Sequence, residues 1–394
     1  MLGILVGFAS ACGESPSDPL PSAAGIRIDP ADSIVRMGNT TALRATYIAE
    51  SGHPIPGGGF SWATDNPASA SVSPAGLVTA LEPGDVRISV TGAGFSAVHG
   101  MLVVDSQIVA RVDLHASPFG IAIAGSTAYL TLPLADSVRV VNTTTAAVVG
   151  SIATGGAPTT VAFNPAGTRA YVANQEGTLG VIDPATHTVT GSVPVPGTPY
   201  AVVVSGDGAT IWISAVNNNT LYAVDAMTLT VTGSGSTPTF AEGLARHPTI
   251  ARLYSGALGA FIGDVNLYEI DAGTLDSLRG WVISGTASNV AVAPDGSRLF
   301  VADQGGSLNV INLASGAAQP PIPLLGSASG IAISPDGSKL AISTTVGWVE
   351  EYNLATLAQS RYVWVGGTPR GLAYRPDGTR LLVANEAGWV DFIR

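Results

Sequence analysis

The chain has 394 residues, too many for one ordinary core, so several domains or a repeat array is the starting expectation. Only 11% of residues are charged, yet the apolar ones come in short Val/Ile/Ala runs cut by 48 Gly and 26 Pro; after the first dozen residues none approaches the roughly 18 that a spanning helix needs. The net charge of −11, with no Lys/Arg cluster anywhere, leaves no footprint for a phosphate backbone and argues against nucleic acid as a partner.

Residues 1–12 run from an apolar stretch, Met1 to Phe8, through the small residues Ala9-Ser10-Ala11 to Cys12, and read as a leader for export. Cys12 is the only cysteine, so no intrachain disulfide can form. Residues 13–23 are a polar, Pro/Ser-rich tether with no means of packing. A cysteine directly after small residues resembles a bacterial lipoprotein signal. That resemblance implies a lipidated Cys12, a membrane anchor, and a periplasmic or cell-surface location. It departs from the pattern at Ala9, where that family prefers Leu, and in having no Lys or Arg before the apolar run.

Residues 24–104 alternate apolar and polar positions between turn signals. Ile26-Arg27-Ile28, Thr41 to Tyr47, Phe60-Ser61-Trp62, Ala70-Ser71-Val72, Leu77 to Ala80 and Val86 to Val90 each read as a short strand, and Pro54 to Gly59 and Glu82 to Asp85 as turns. Strands at this spacing predict a sandwich with Trp62 in its core. The run from Trp62 through Val72-Ser73-Pro74-Ala75-Gly76-Leu77-Val78 to Gly84-Asp85-Val86-Arg87-Ile88 is similar to the bacterial group 2 immunoglobulin-like domain. The resemblance implies a stalk or adhesive module.

From residue 105 on, the chain is a repeat. Equivalent positions fall at Pro118, Pro158, Pro199, Ala241, Ala287, Ala328 and Pro369. The period of about 40 to 46 residues, with four strand-like segments in each copy, is that of a propeller blade. In the sixth copy, Gly330 to Ile333, Lys339 to Ser343, Gly347 to Tyr352 and Ser360 to Val365 are the four segments, innermost first, with a Ser334-Pro335-Asp336-Gly337 turn after the first. The turn aspartates Asp295, Asp336 and Asp377 read as turn formers, not catalytic acids. The seventh copy leaves room for only three strands before Arg394, and Ile108 to Leu114 matches the missing fourth. The expected architecture is therefore all-β: a small Ig-like β-sandwich followed by a seven-bladed β-propeller, closed by strand 108–114 with the last blade, which removes the exposed edges. Ala170-Tyr171-Val172-Ala173-Asn174, followed by Gly177 to Asp183, is similar to the YVTN-type propeller repeat of exported bacterial and archaeal surface proteins, and the likeness spans 108–394.

No catalytic constellation is present. The five histidines are scattered without metal-ligand spacing, there is no Gly-x-Ser-x-Gly elbow and no phosphate loop, so no cofactor and no metal is expected. Geometry still selects one face. In a propeller, the loop entering each inner strand and the loop between second and third strands emerge together around the central channel. The first set carries Phe119, Thr159, Tyr200, Glu242, Ser288, Ser329 and Arg370; the second carries Asn174 to Glu176, Asn217 to Asn219, Asp303-Gln304, Trp348, and Asn385-Glu386 with Trp389. Trp348 and Trp389 occupy one slot in neighbouring copies with Arg370 between them, and such a group could stack on a sugar ring or a peptide. The longest copy carries its excess, Gly256 to Val265, on this face as well. The expected function is a non-enzymatic, monomeric surface protein binding a glycan, a peptide or an envelope protein. An enzyme of lactonase, lyase or hydrolase type and a purely structural wall component are the alternatives.

Overall fold

The computed structural model describes residues 23–30, 34–237, 240–257, 265–283, 285–287 and 289–394. Cys12 with the leader, nearly all of the tether, Ser288, and most of the 256–265 excess lie outside them. The chain divides into two units between Val104 and Asp105.

The first unit is built from three small sheets. Ile34–Arg36, Phe95–Val104, Gly84–Gly92 and Ser61–Thr64 form one; Ala23–Asp29, Arg44–Ala49 and Pro54–Ile55 form another; Thr40–Ala42, Leu77–Ala80 and Ala70–Val72 form the third. Alternation drives them together. Along Gly84–Gly92, Val86, Ile88 and Val90 are buried while Asp85 and Arg87 face water. Leu43, Val78, Val86, Ile88, Met101 and Val103 share one core, and the half-buried Trp62 packs on it. Phe95–Val104, the longest strand of the unit, falls in a stretch where the sequence offered no strand reading.

The second unit consists of seven four-stranded antiparallel sheets in chain order: 121–153, 158–194, 199–236, 241–281, 289–323, 328–364, and 369–393 with Ile108–Asp113. We call them blades 1 to 7. The first strand of each packs beside the first strand of the next, and blade 7 packs beside blade 1, so the seven inner strands ring a common axis. Second strands are buried along almost their whole length, as in Ala170–Asn174 and Leu381–Asn385. Fourth strands are mostly exposed, as in Ala147–Ala153.

Ring closure rests on Ile108–Asp113, which pairs antiparallel with Trp389–Ile393. Arg111 fixes that register. Its guanidinium takes Asp391 from two nitrogens, at 2.6 and 2.8 Å, and donates to the Val365 carbonyl of blade 6 at 2.7 Å. Asp391 is fully buried, and burial pushes its carboxyl up against the opposing pull of Arg111.

Inner strands of adjacent blades share no ladder, and side-chain hydroxyls from first and second strands tie one blade to the inner strand of the next. Thr131 donates to the Thr159 carbonyl, Thr159 and Thr160 donate to the Tyr200 carbonyl, and Ser343 donates to the Arg370 carbonyl. Glycine allows the close approach: a Cβ at Gly330 would stand 2.0 Å from the Arg370 oxygen, and one at Gly120 2.4 Å from the Thr159 oxygen.

Candidate functional site

The axis opens into a cavity of about 300 Å³ whose walls come from all seven inner strands. It lies on the face where the inner strands begin. Phe119 precedes the first strand of blade 1, while Tyr200, Glu242 and Arg370 are the second residues of the inner strands of blades 3, 4 and 7. Each holds the same place in the repeat, so their side chains converge.

They form a connected arc. Arg370 donates through Nε to Glu386 at 2.7 Å and lies over the Phe119 ring, 5.0 Å from its centre. Phe119 meets the Tyr200 ring edge to face at 5.9 Å. The Tyr200 hydroxyl lies near enough to the Glu242 carboxylate for the two to act on each other's titration. Burial holds the Glu242 carboxyl above the usual carboxylate range, although Arg370 and the Tyr200 hydroxyl both pull it down. Burial beside Glu242 likewise raises the Tyr200 hydroxyl well above its ordinary value. Blades 4 and 7 stand on opposite sides of the ring, so Glu242 and Arg370 face each other across the mouth. Arg370 forms its ion pair with Glu386.

The backbone beneath this arc is pinned. Two threonine hydroxyls hold the Tyr200 carbonyl at 2.7 and 2.6 Å, and Ser343 holds that of Arg370 at 2.8 Å. Ser117 donates to the Glu386 carbonyl, and the Gly371 amide to the Phe119 carbonyl at 3.1 Å. Asn289, Gln304 and Ser329 line the remaining sector, from blades 5 and 6.

The tryptophans sit elsewhere. Trp348 and Trp389 are the first residues of third strands, two strands out from the axis, rather than loop residues. The cation over Trp389 is Arg111, 4.2 Å from the ring centre, not Arg370; the indole nitrogen donates to Asp391 at 3.0 Å. Trp348 meets Tyr362 edge to face at 5.4 Å and pairs across the ladder with Trp364. Both are half-buried in their own blades. Several polar residues of the second loop set also point inward. Asn385 is fully buried, donating to the Gly366 carbonyl at 2.7 Å and accepting from the amides of Thr368 and Ala387. Asp303 is held by Asn309 and Asn174 by the Thr154 carbonyl and Thr178. These side chains tie down the loops; they do not face the mouth as free groups. Of the hydroxyls that position the arc, Thr159 stands in the sequence-derived loop set, whereas Thr160 and Ser343 were not singled out.

Among the described residues, no three His, Cys, Asp or Glu side chains are grouped so as to hold a metal ion.

Comparison with known proteins agrees with this architecture. No curated protein matches the chain. The structure of Kuenenia stuttgartiensis Hydrazine Synthase is similar over 71% of this chain and 95% of that one, with 21% identity and a TM-score of 0.65, a likeness that shows the fold alone. Residues 22–99 match the family described as Bacterial Ig-like domain (group 2).

Proposed function

We propose that the chain is an exported, non-enzymatic binding protein of the YVTN-repeat type. In this reading it is anchored through lipid on Cys12 and uses the axial mouth of its propeller to bind a peptide or glycan of the cell envelope. The observation that carries the binding role is the arc Glu386–Arg370–Phe119–Tyr200–Glu242. Four blades send aromatic and charged side chains to one half-buried place, and the backbone below is fixed by threonine and serine hydroxyls. Aromatic and arginine side chains at a concave centre are the groups that typically dominate binding energy. The tryptophan pair carries less of this reading, because Trp389 already stacks with Arg111 and Trp348 already meets Tyr362 within their own blades.

The test is a glycan and peptide array probed with the whole chain and with its Tyr200→Ala variant. Binding that the variant loses at unchanged melting temperature supports the reading; binding that ignores Tyr200 contradicts it. Mass spectrometry of membrane-fraction protein tests the anchor separately, since lipid must be found on Cys12. One observation favours an enzyme instead: the raised Glu242 carboxyl, beside the Tyr200 hydroxyl in a cavity, is the environment of a general acid. Turnover lost with Glu242→Gln would decide for that reading.

A further inference from the structure

The repeat distributes charge unequally between the two faces of the ring. Second strands begin on the face away from the mouth, and there they open with, or directly follow, Arg169, Arg252, Arg298, Lys339 and Arg380. Their other ends, at the mouth, carry no such cation. Among the described residues, the strand ends and loops of the mouth face hold Asp113, Asp136, Glu176, Glu242 and Glu386, with Asp303 buried behind them and Arg370 as their only Arg or Lys. Nearby, the His115 ring lies 3.1 Å from Asp113, and Arg139 reaches from within blade 1 to the Leu114 carbonyl. The mouth face is therefore acidic, and at its centre Arg370 is already paired with Glu386 and laid on Phe119. Glu242 is the carboxylate left for a ligand. Around the mouth, exposed apolar side chains stand on the loops of this same face: Leu134 at 92%, Val346 at 55%, Leu325 at 52% and Phe240 at 46% exposure.

Resting on the reading that this face binds, we propose that its ligand is a peptide segment of a protein partner that inserts a cationic side chain, guanidinium or ammonium, into the mouth. Glu242 is the counter-ion, Phe119 and Tyr200 are the walls, and apolar residues flanking the cation pack on the loops. Charge complementarity selects the cation: an anion would meet Glu242 and Glu386 at an acidic mouth, and a free zwitterion would have to displace Glu386 from Arg370 to use both ends of the cavity. The apolar rim selects a peptide over a small polyamine, which would leave that rim uncovered.

The experiment titrates the whole chain with an N-acetylated, C-amidated peptide, Leu-Ala-Arg-Ala-Leu, and with the same peptide carrying citrulline, which keeps the shape of arginine and removes its charge. The arginine peptide is expected to bind about tenfold or more tightly than the citrulline one, with an advantage that shrinks as salt rises. Glu242→Gln is expected to erase the difference, and Glu386→Gln to reduce it by freeing Arg370 to repel the cation. Melting curves of both variants confirm folding. Equal affinity for the two peptides, a preference that survives Glu242→Gln, or no binding of the arginine peptide at millimolar concentration overturns the proposal. So does tighter binding of free amino acids through Arg370. If both peptides bind equally and Tyr200→Ala abolishes both, only the cation is wrong; if Tyr200→Ala changes no binding at all, the axial reading fails with it.

Discussion

The guanidinium of Arg370 lies 5.0 Å from the centre of the Phe119 ring, across the seam where blade 7 meets blade 1. The last inner strand and the residue leading into the first are thus joined by a side-chain stack, by the Gly371–Phe119 backbone hydrogen bond, and, farther out, by the pairing of Ile108–Asp113 with Trp389–Ile393. Closing the ring and building the mouth involve the same residues, which shapes what each substitution should do.

The Arg111–Asp391 pair is expected to be asymmetric on removal. Asp391→Ala leaves a guanidinium that cannot lose its proton inside the closing blade, and should cost about 3–5 kcal/mol. Arg111→Met leaves a carboxyl that burial already pushes up, and that carboxyl can take a proton instead. Arg111→Met should therefore cost less, and its deficit should shrink between pH 7 and pH 5, where its folded state binds a proton that the unfolded chain does not. Denaturant unfolding of both variants at the two pH values checks this. Equal costs at both values would contradict it.

Trp348→Ala and Trp389→Ala should act on stability. Trp389 supplies the surface under Arg111 and a hydrogen bond to Asp391, and Trp348 covers Tyr362. Losing either should cost about 2–4 kcal/mol, as large-to-small changes in packed sites do. Affinity per folded molecule for any ligand of the axis should not change. Melting and binding measured on one preparation separate the two effects.

Phe119→Ala and Tyr200→Phe should do the reverse. Phe119 bridges Arg370 and Tyr200, and the Tyr200 hydroxyl lies beside Glu242. Both residues are half-buried at an open cavity, so truncation should leave melting nearly unchanged. Ligand binding should weaken by about 2 kcal/mol for Phe119→Ala if it acts as a hot spot, and calorimetric titration with any array hit reads this directly.

The turn aspartates should set the acid limit. Hydrogen bonds from Ser334 and from the hydroxyl and amide of Ser338 hold the Asp336 carboxyl down at about 2, against an ordinary 3.8. Its folded value lies below its unfolded one, so its contribution is fully present above pH 3.8 and is lost as pH falls through about 2. Asp336→Ala should melt below the parent at pH 6, with the gap closing between about pH 4 and pH 2. A gap independent of pH would mean that the carboxylate charge has no part in the turn.

The blades were legible because most repeat one physical rule: an apolar half-buried run, a tight turn with Gly, and a second, buried run. Blade 6 follows that rule in Gly330-Ile331-Ala332-Ile333, Ser334-Pro335-Asp336-Gly337 and Lys339-Leu340-Ala341-Ile342. Phe95–Val104 was not legible. Its inward positions include His99 and its outward ones Val98, which is 62% exposed, so burial and hydrophobicity part company along it. At the candidate site, the position of Phe119, Tyr200, Glu242 and Arg370 in the repeat is enough to bring them together, since every blade aims that position at the axis. Trp348 and Trp389 are the instructive difference. The repeat correctly makes them equivalent to each other, but radius is set by strand number, and a third strand lies too far out for its first residue to share a mouth with Arg370.

The central claim, that the axial arc is where a ligand binds, is tested most directly by amide hydrogen exchange of the whole chain with and without the best array hit. The account predicts added protection at 119–121, 199–202, 241–244 and 369–372, the segments that converge on the axis. Protection confined to the third strands opening at Trp348 and Trp389, with those four segments unchanged, would contradict it.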